Sequence, residues 1–340
     1  MKNILVTGNE GYIGCVLTEK LLEKGYEVTG FDLGIFKDVN FIPNKSNPTK
    51  QIYKDIRDIE ASDLSEVDAV IHLAGLSNDP VGDVNPELTS QINFEASVKL
   101  AKLCKSQGIE RFLFSSSCSM YGISGQEFVS ESSALNPQTP YAKAKAMVEE
   151  EVSKLADDKF CPIFLRNSTV FGVSPRMRLD LVVQNLVAYG YLNGTITILS
   201  DGLPWRPLIH IKDITEAFCF LLEAPKEKVH NQAFNIGKKE NNVQVKTIAE
   251  MVQSVILNTK IEIKNENPSD TRSYKVDFSK IYSLGFSPQF TVLDGVKEIH
   301  KTFKKVSFTK EDFESSDYIT LKKYQEFIKK GKMDENFRLI

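Results

Sequence analysis

The chain has 340 residues, 41% hydrophobic and 26% charged, the ordinary balance of a soluble globular protein with material for one large domain and a smaller one. A formal net charge of −3 argues against nucleic acid or an anionic membrane as partner and leaves small molecules. No apolar run has the length of a bilayer span, and the first residues lead into a strand rather than a secretion signal. The five scattered cysteines, Cys15, Cys104, Cys118, Cys161 and Cys219, show no C-x-x-C spacing. The expectation is a cytoplasmic protein with reduced thiols, no disulfide framework and no zinc or other metal site.

In chain order the pattern predicts a strand at 3–7, a helix at 12–24, and strands at 27–32, 51–53 and 69–73. A helix near 86–107, a strand at 111–115, a helix at 141–155 and a strand at 162–166 follow. This alternation of strand and helix predicts an α/β fold with a doubly wound parallel sheet. Beyond about residue 167 the pieces shorten. Ile214, Ala217, Phe218, Leu221 and Leu222 mark one helix face, and 233–236 reads as a strand returning to the sheet. The expected division is residues 1–172, rejoined by 206–240, and a smaller mixed α/β substrate lobe from 173–205 and 241–305. The tail, 306–340, is rich in Lys, Glu and aromatics and fits a peripheral helix with no legible role.

Directly behind the first strand stands TGNEGYIG, with Gly8, Gly11 and Gly14 three residues apart. A phosphate sits at a helix N-terminus because unpaired N–H groups and the helix dipole point at it, provided that no Cβ intervenes. The three glycines supply the tight turn, the close approach of a pyrophosphate and the close packing of helix on strand. The spacing is G-x-x-G-x-x-G rather than G-x-G-x-x-G. Asp32, ending the second strand about twenty residues on, is placed to accept both adenosine ribose hydroxyls, and without an adjacent Arg the choice is NAD over NADP.

Further along, SSSCSMYG at 115–122 follows a strand and TPYAKAK at 139–145 opens a helix. Tyr141 and Lys145 are four apart and share a helix face. A phenol of pKa near 10 has to fall by about three units, roughly 4 kcal/mol, to act as a base at neutral pH. A neighbouring ammonium and a cationic nicotinamide ring supply that shift. Ser117 is then placed to hold the substrate hydroxyl. His72 and His210 belong to no metal-ligand cluster and to no Ser/His/Asp order, and read as structural.

These residues together resemble the extended short-chain dehydrogenase/reductase family, specifically its NAD-dependent nucleotide-sugar epimerases and dehydratases, from residue 1 to about 300. The marks are TGNEGYIG, Asp32, the pair Asp55-Ile56, HLAG at 72–75, Asn93, SSSCSMYG, Tyr141-x-x-x-Lys145 and WRPLIHIKD at 205–213. The resemblance implies a Rossmann-type NAD site from Gly8, Gly11, Tyr12, Ile13, Gly14, Asp32, Asp55 and Ile56 (at adenine), Leu73, Ala74, Gly75, Asn93, Tyr141 and Lys145. It implies a catalytic set of Ser117, Tyr141 and Lys145, a nucleoside-diphosphate sugar as substrate, and a homodimer formed through helices near 94–107 and 141–155.

Lysine far outnumbers arginine, yet Arg176, Arg178, Arg206 and Arg272 all fall in or at the border of the expected substrate lobe, where a planar fork suits phosphate or carboxylate. Arg206 and Arg272 match the family positions that hold the substrate diphosphate, and all four are candidate substrate-binding residues. SPRMRLDL at 174–181 resembles a stretch of some bacterial members, including heptose-modifying dehydrogenases. Two departures stand out. The family's 4,6-dehydratases carry Asp-Glu after the catalytic Ser or Thr, where this chain has Cys118 and Ser119, so a 4,6-dehydratase is disfavoured. Thr169 replaces the family's Asn before V-Y-G, which puts that substrate contact in doubt. The expectation is reversible hydride transfer at C4, epimerisation favoured, with a one-way 4-dehydrogenase or 4-ketoreductase as the alternative and a non-catalytic NAD sensor below both.

Overall fold

The computed structural model describes residues 2–77, 79–83, 85–123, 127–264 and 273–340. Six strands lie in the first half, most of them separated by helical segments: β1 Asn3–Thr7, β2 Glu27–Asp32, β3 Lys50–Tyr53, β4 Ala69–His72, β5 Arg111–Ser117 and β6 Cys161–Asn167. The later strands are β7 Thr169–Phe171, β8 Thr195–Ile198, β9 Trp205–His210, β10 Gln232–Ile236, β11 Asn242–Gln244 and β12 Lys260–Ile263. Seven of them form one parallel sheet in the order β10-β6-β5-β4-β1-β2-β3. Every residue of β4 and β6 is buried, as expected for strands covered on both faces. The strand order reverses between β1 and β4, which opens a crevice at their C-terminal ends.

One face of the sheet packs Ile4, Val6, Ile71, Leu113 and Ile163 against the helices Tyr12–Glu23 and Ile211–Glu223. The other packs Leu5, Val70, Phe112 and Phe114 against the helices Ala96–Ser106 and Pro140–Ser153. Met333 and Phe337 of the C-terminal segment join this second face. A third cluster, with Phe171, Leu186, Ile196, Leu208, Ile248, Val296 and Phe303, lies beneath the small sheets β11-β9-β7 and β12-β8.

Two expected elements differ in ways that shape the crevice. β5 runs on to Ser117, because Ser115, Ser116 and Ser117 pair in register with Leu165, Arg166 and Asn167 of β6. The helix expected near 86–107 is broken into Pro86–Thr89, a π-helical turn at Ser90–Glu95, and Ala96–Ser106. The widened turn lies where Asn93 reaches toward β4. Asn93 accepts the Leu76 N–H at 2.7 Å and donates to its carbonyl at 2.9 Å, fixing the loop after β4.

Candidate active site

A cavity of about 490 Å³ follows the C-terminal ends of the parallel strands. Gly8, at φ +73°, receives the chain from β1, and its N–H donates to the Phe31 carbonyl at 2.7 Å. A Cβ there would stand 2.9 Å from the Ala74 nitrogen, and one at Gly14 would stand 2.0 Å from the Gly8 oxygen. Gly11 caps the helix Tyr12–Glu23 with no side chain, so the first turn of N–H groups faces the cavity uncovered. The half-buried Asp32 accepts the N–H groups of Glu10 at 3.2 Å and Gly34 at 2.9 Å, and burial raises its pKa. A loop that any Cβ would fill, beside a held carboxylate, fits the pyrophosphate and ribose of a dinucleotide.

Asp55 and Ile56 line the same end. Arg57 grips the Asp55 carboxylate through two N–H donors at 3.0 and 2.6 Å, and Arg338 lies 3.4 Å from it. Although burial opposes it, this pairing holds Asp55 below the usual carboxylate range. Leu73, Ala74 and Gly75 form the opposite wall, with Tyr12 and Ile13 at the helix start. The Tyr12 hydroxyl donates to the Gly172 carbonyl at 2.7 Å, and Ser174 Oγ donates to the Tyr12 carbonyl at 2.8 Å. These bonds draw the segment after β7, with Arg176 and Arg178, onto the glycine loop.

At the other end of the cavity lie Ser117, Tyr141 and Lys145. Ser117 donates to Ser119 Oγ at 2.9 Å and accepts the Ser119 N–H at 3.1 Å, so its oxygen is held at the lip of β5. Thr139 caps the helix that carries Tyr141, accepting the Ala142 N–H at 3.2 Å, and Pro140 is its first residue. Lys145 Nζ donates to the Ser115 carbonyl at 2.6 Å, 4.5 Å from the centre of the Phe114 ring and 5.7 Å from that of Tyr141. Burial pulls its pKa down to about 7, and the Glu149 charge opposes the fall.

The arginines diverge. Arg178 forms a two-pronged pair with Asp180 at 3.0 and 2.8 Å and donates to Ser77 Oγ at 3.3 Å. Arg176 turns toward the Asp32 end, its guanidinium 3.7 Å from the centre of the Phe36 ring. Arg206 lines the cavity and donates to its neighbour's carbonyl at 3.1 Å. Arg272 lies outside the described residues. The histidines are structural: His72 bridges Thr7 and Ser97 at 2.6 and 2.8 Å, with burial pushing its pKa down to about 3, and His210 pairs with Glu298 at 2.9 Å.

Three lining features carry no sequence signal. Asn167, 8% exposed at the end of β6, donates to Ser115 Oγ at 2.9 Å, while its Oδ1 is buried among the described residues without a partner. Tyr274 also lines the cavity, and Thr320, Tyr324 and Phe337 arrive from the C-terminal segment. None belongs to a local motif.

One cavity thus joins a glycine loop that fits a dinucleotide to Ser117, Tyr141 and Lys145, an arrangement that fits a nicotinamide-dependent oxidoreductase. The profile of the NAD dependent epimerase/dehydratase family matches residues 4–237, and the chain belongs to that family. It is an NAD-dependent enzyme. It is similar to human dTDP-D-glucose 4,6-dehydratase, 26% identical over 322 residues, covering 89% of this chain and 90% of that one. The UDP-glucose 4-epimerase of Neisseria meningitidis is 28% identical over 307 residues, covering 82% and 89%. Among solved structures, the UDP-glucuronic acid 4-epimerase from Bacillus cereus, in complex with UDP-glucuronic acid and NAD, is 26% identical with a TM-score of 0.75, covering 89% of this chain and 99% of that one.

Proposed function

We propose that the protein is an NAD-dependent oxidoreductase of nucleoside-diphosphate sugars that transfers hydride reversibly at C4, with epimerisation as its reaction. The observation that carries the reading is the placing of Ser117, Tyr141 and Lys145 in the same cavity as the glycine loop and Asp32. NAD supplies the site that accepts the sugar's hydride and returns it. Tyr141 takes the proton of the sugar hydroxyl, the Lys145 ammonium favours the phenolate, and Ser117 orients the oxygen. Asp32 holds the adenosine ribose, and a 2′-phosphate would set a second anion against its carboxylate.

Two facts favour this reading over dehydration. Cys118 is buried, donates its thiol to the Arg166 carbonyl at 3.1 Å, and has its pKa pushed well up by burial. Ser119 is a neutral hydroxyl whose oxygen accepts from Ser117. Neither position offers an acid or base for C5 and C6. The lobe of 173–205 and 241–305 is read as the sugar-nucleotide side, with Arg206 on the diphosphate. Arg178 and its partner Asp180 face the sugar end.

The test is purified protein with a panel of UDP-, GDP-, CDP- and dTDP-sugars, with NAD or NADP added, and products identified by NMR. The expected result is a pair of C4 epimers without net NADH, with NAD ahead of NADP. Stoichiometric NADH identifies a 4-dehydrogenase instead, and a 4-keto-6-deoxy product or no turnover overturns the reading. The homodimer is proposed to form through a shallow groove between the two helices, lined by Phe94, Val98, Leu103 and Glu151 and flanked by the exposed Met147. A monomer by light scattering at micromolar concentration removes it.

A further inference from the structure

The C-terminal segment returns to the large sheet and reaches the cofactor cavity. Its helix Thr320–Lys329 presents Thr320 and Tyr324 to the cavity, and the turn that follows presents Phe337. That turn is closed by an antiparallel bridge between Met333 and Leu339. Phe337 is 4% exposed, lies 4.6 Å from the Tyr324 ring centre to centre, and adopts φ +57°, a conformation that bulky residues rarely take.

The segment is fastened to the residues that already mark the adenine end. Arg57, while gripping Asp55, donates to the Asn336 carbonyl at 2.9 Å and to the Phe337 carbonyl at 3.4 Å. Arg338 lies 3.4 Å from Asp55 and pairs with Asp58. At the same end of the cavity Arg176, 2% exposed, donates to Thr320 Oγ1 at 3.1 Å and to the Met177 carbonyl at 2.7 Å. Among the described residues it has no carboxylate partner within ion-pair distance. A buried guanidinium is stabilised by an anion, and the glycine loop that suits a pyrophosphate lines the same cavity.

We propose that the segment Thr320–Arg338 is part of the dinucleotide site, with Tyr324 and Phe337 walling the adenosine end, Arg176 supplying positive charge beside it, and the whole retaining NAD between turnovers. The proposal rests on the assignment of the cavity to NAD and not on the choice of epimerisation. Its chemical sense is that an aromatic wall gives the adenine a flat apolar contact that the glycine loop and Asp32 lack. Retention suits a reaction whose hydride leaves and returns within one catalytic cycle.

Two variants separate this role from general stability. Tyr324→Ala removes the ring, and Arg338→Glu sets a third carboxylate beside Asp55 and Asp58. Wild-type protein is expected to keep NAD through desalting, measured by release on denaturation, and both variants to lose it. Calorimetry should show NAD and ADP-ribose weakened ~10-fold or more in Tyr324→Ala, within the range for loss of one aromatic–base contact, with UDP within twofold of wild type. NAD and ADP-ribose affinities within twofold of wild type in both variants overturn the proposal, as does an equal loss for UDP. Where a variant fails to fold, hydrogen exchange of the wild-type chain decides. NAD should slow exchange of the Thr320–Arg338 amides, and unchanged exchange there overturns the proposal. These readouts need no nucleotide sugar, so their failure is distinct from failure of the sugar panel.

Discussion

Tyr141→Phe is expected to lower turnover by about two to four orders of magnitude, the usual worth of a positioned acid or base, with fold and NAD binding intact. The substitution removes one oxygen and leaves the ring where the helix holds it. That helix start is fixed independently of the hydroxyl. Thr139 caps it through the Ala142 N–H and also donates to Asp79 Oδ1 at 2.6 Å. The companion variants rank the roles. Lys145→Met should impair turnover and weaken NAD together, because in the proposed mechanism one ammonium serves both the phenol and the nicotinamide ribose. Ser117→Ala should have a smaller effect than Tyr141→Phe, since the role proposed for Ser117 is to orient the substrate and not to carry its proton away. Steady-state rates on any accepted nucleotide sugar, with NAD content measured in parallel, check the series. Near-normal turnover in Tyr141→Phe refutes its role as base and leaves the cofactor site standing.

The parts of the site that the sequence reveals are those built from short spacings. Gly8, Gly11 and Gly14 lie on one strand-to-helix turn, and Tyr141 and Lys145 lie one helical turn apart, so local geometry carries each motif into place. The inner strands β1 and β4 are equally legible, because burial on both faces leaves them largely apolar. Asn93 lies on a π-helical turn that periodicity alone does not predict. Arg176 and Arg178 are two residues apart in an irregular segment, where spacing says nothing about direction. One is drawn to Phe36 and Thr320, the other to Asp180 and Ser77. Tyr324 and Phe337 reach the cavity from nearly the far end of the chain. The ion pairs of Arg338 that hold them there span 280 and 283 positions, from Asp58 and Asp55, a separation that leaves no local trace.

Replacing Glu149 by Ala is expected to destabilise the fold by about 3–5 kcal/mol, the range for leaving a buried charge without its partner. Glu149 and Arg166 are each 7% exposed, and the carboxylate takes Arg166 Nη2 at 2.7 Å, Arg166 Nε at 3.1 Å and Ser116 Oγ at 2.6 Å. Arg166 also donates to the Tyr121 hydroxyl at 3.0 Å, which donates in turn to Asn235 Oδ1 at 2.7 Å. The network therefore ties β5, β6 and β10 to the helix of Tyr141 and Lys145. Removing Arg166 as well, in Glu149→Leu with Arg166→Met, should recover much of the loss, because no unpaired charge is then left inside. Urea unfolding of the three proteins checks both statements, and a single variant as stable as wild type contradicts the first.

The same carboxylate acts on Lys145, whose pKa it raises against the pull of burial. In the cofactor-free protein the folded pKa of about 7 lies below the unfolded value near 10.4, so between those limits the unfolded chain binds more protons. The burden of burying the ammonium is full below pH 7 and is relieved as pH rises, so this group makes stability increase with pH across that window. Glu149→Gln keeps the side-chain shape and removes the charge, so Lys145 should titrate at lower pH and the window should open earlier. Titration of the Lys145 amine by NMR in wild type and Glu149→Gln gives the result directly. A lysine that titrates at the same pH in both shows that Glu149 supports the catalytic helix by packing and hydrogen bonding alone.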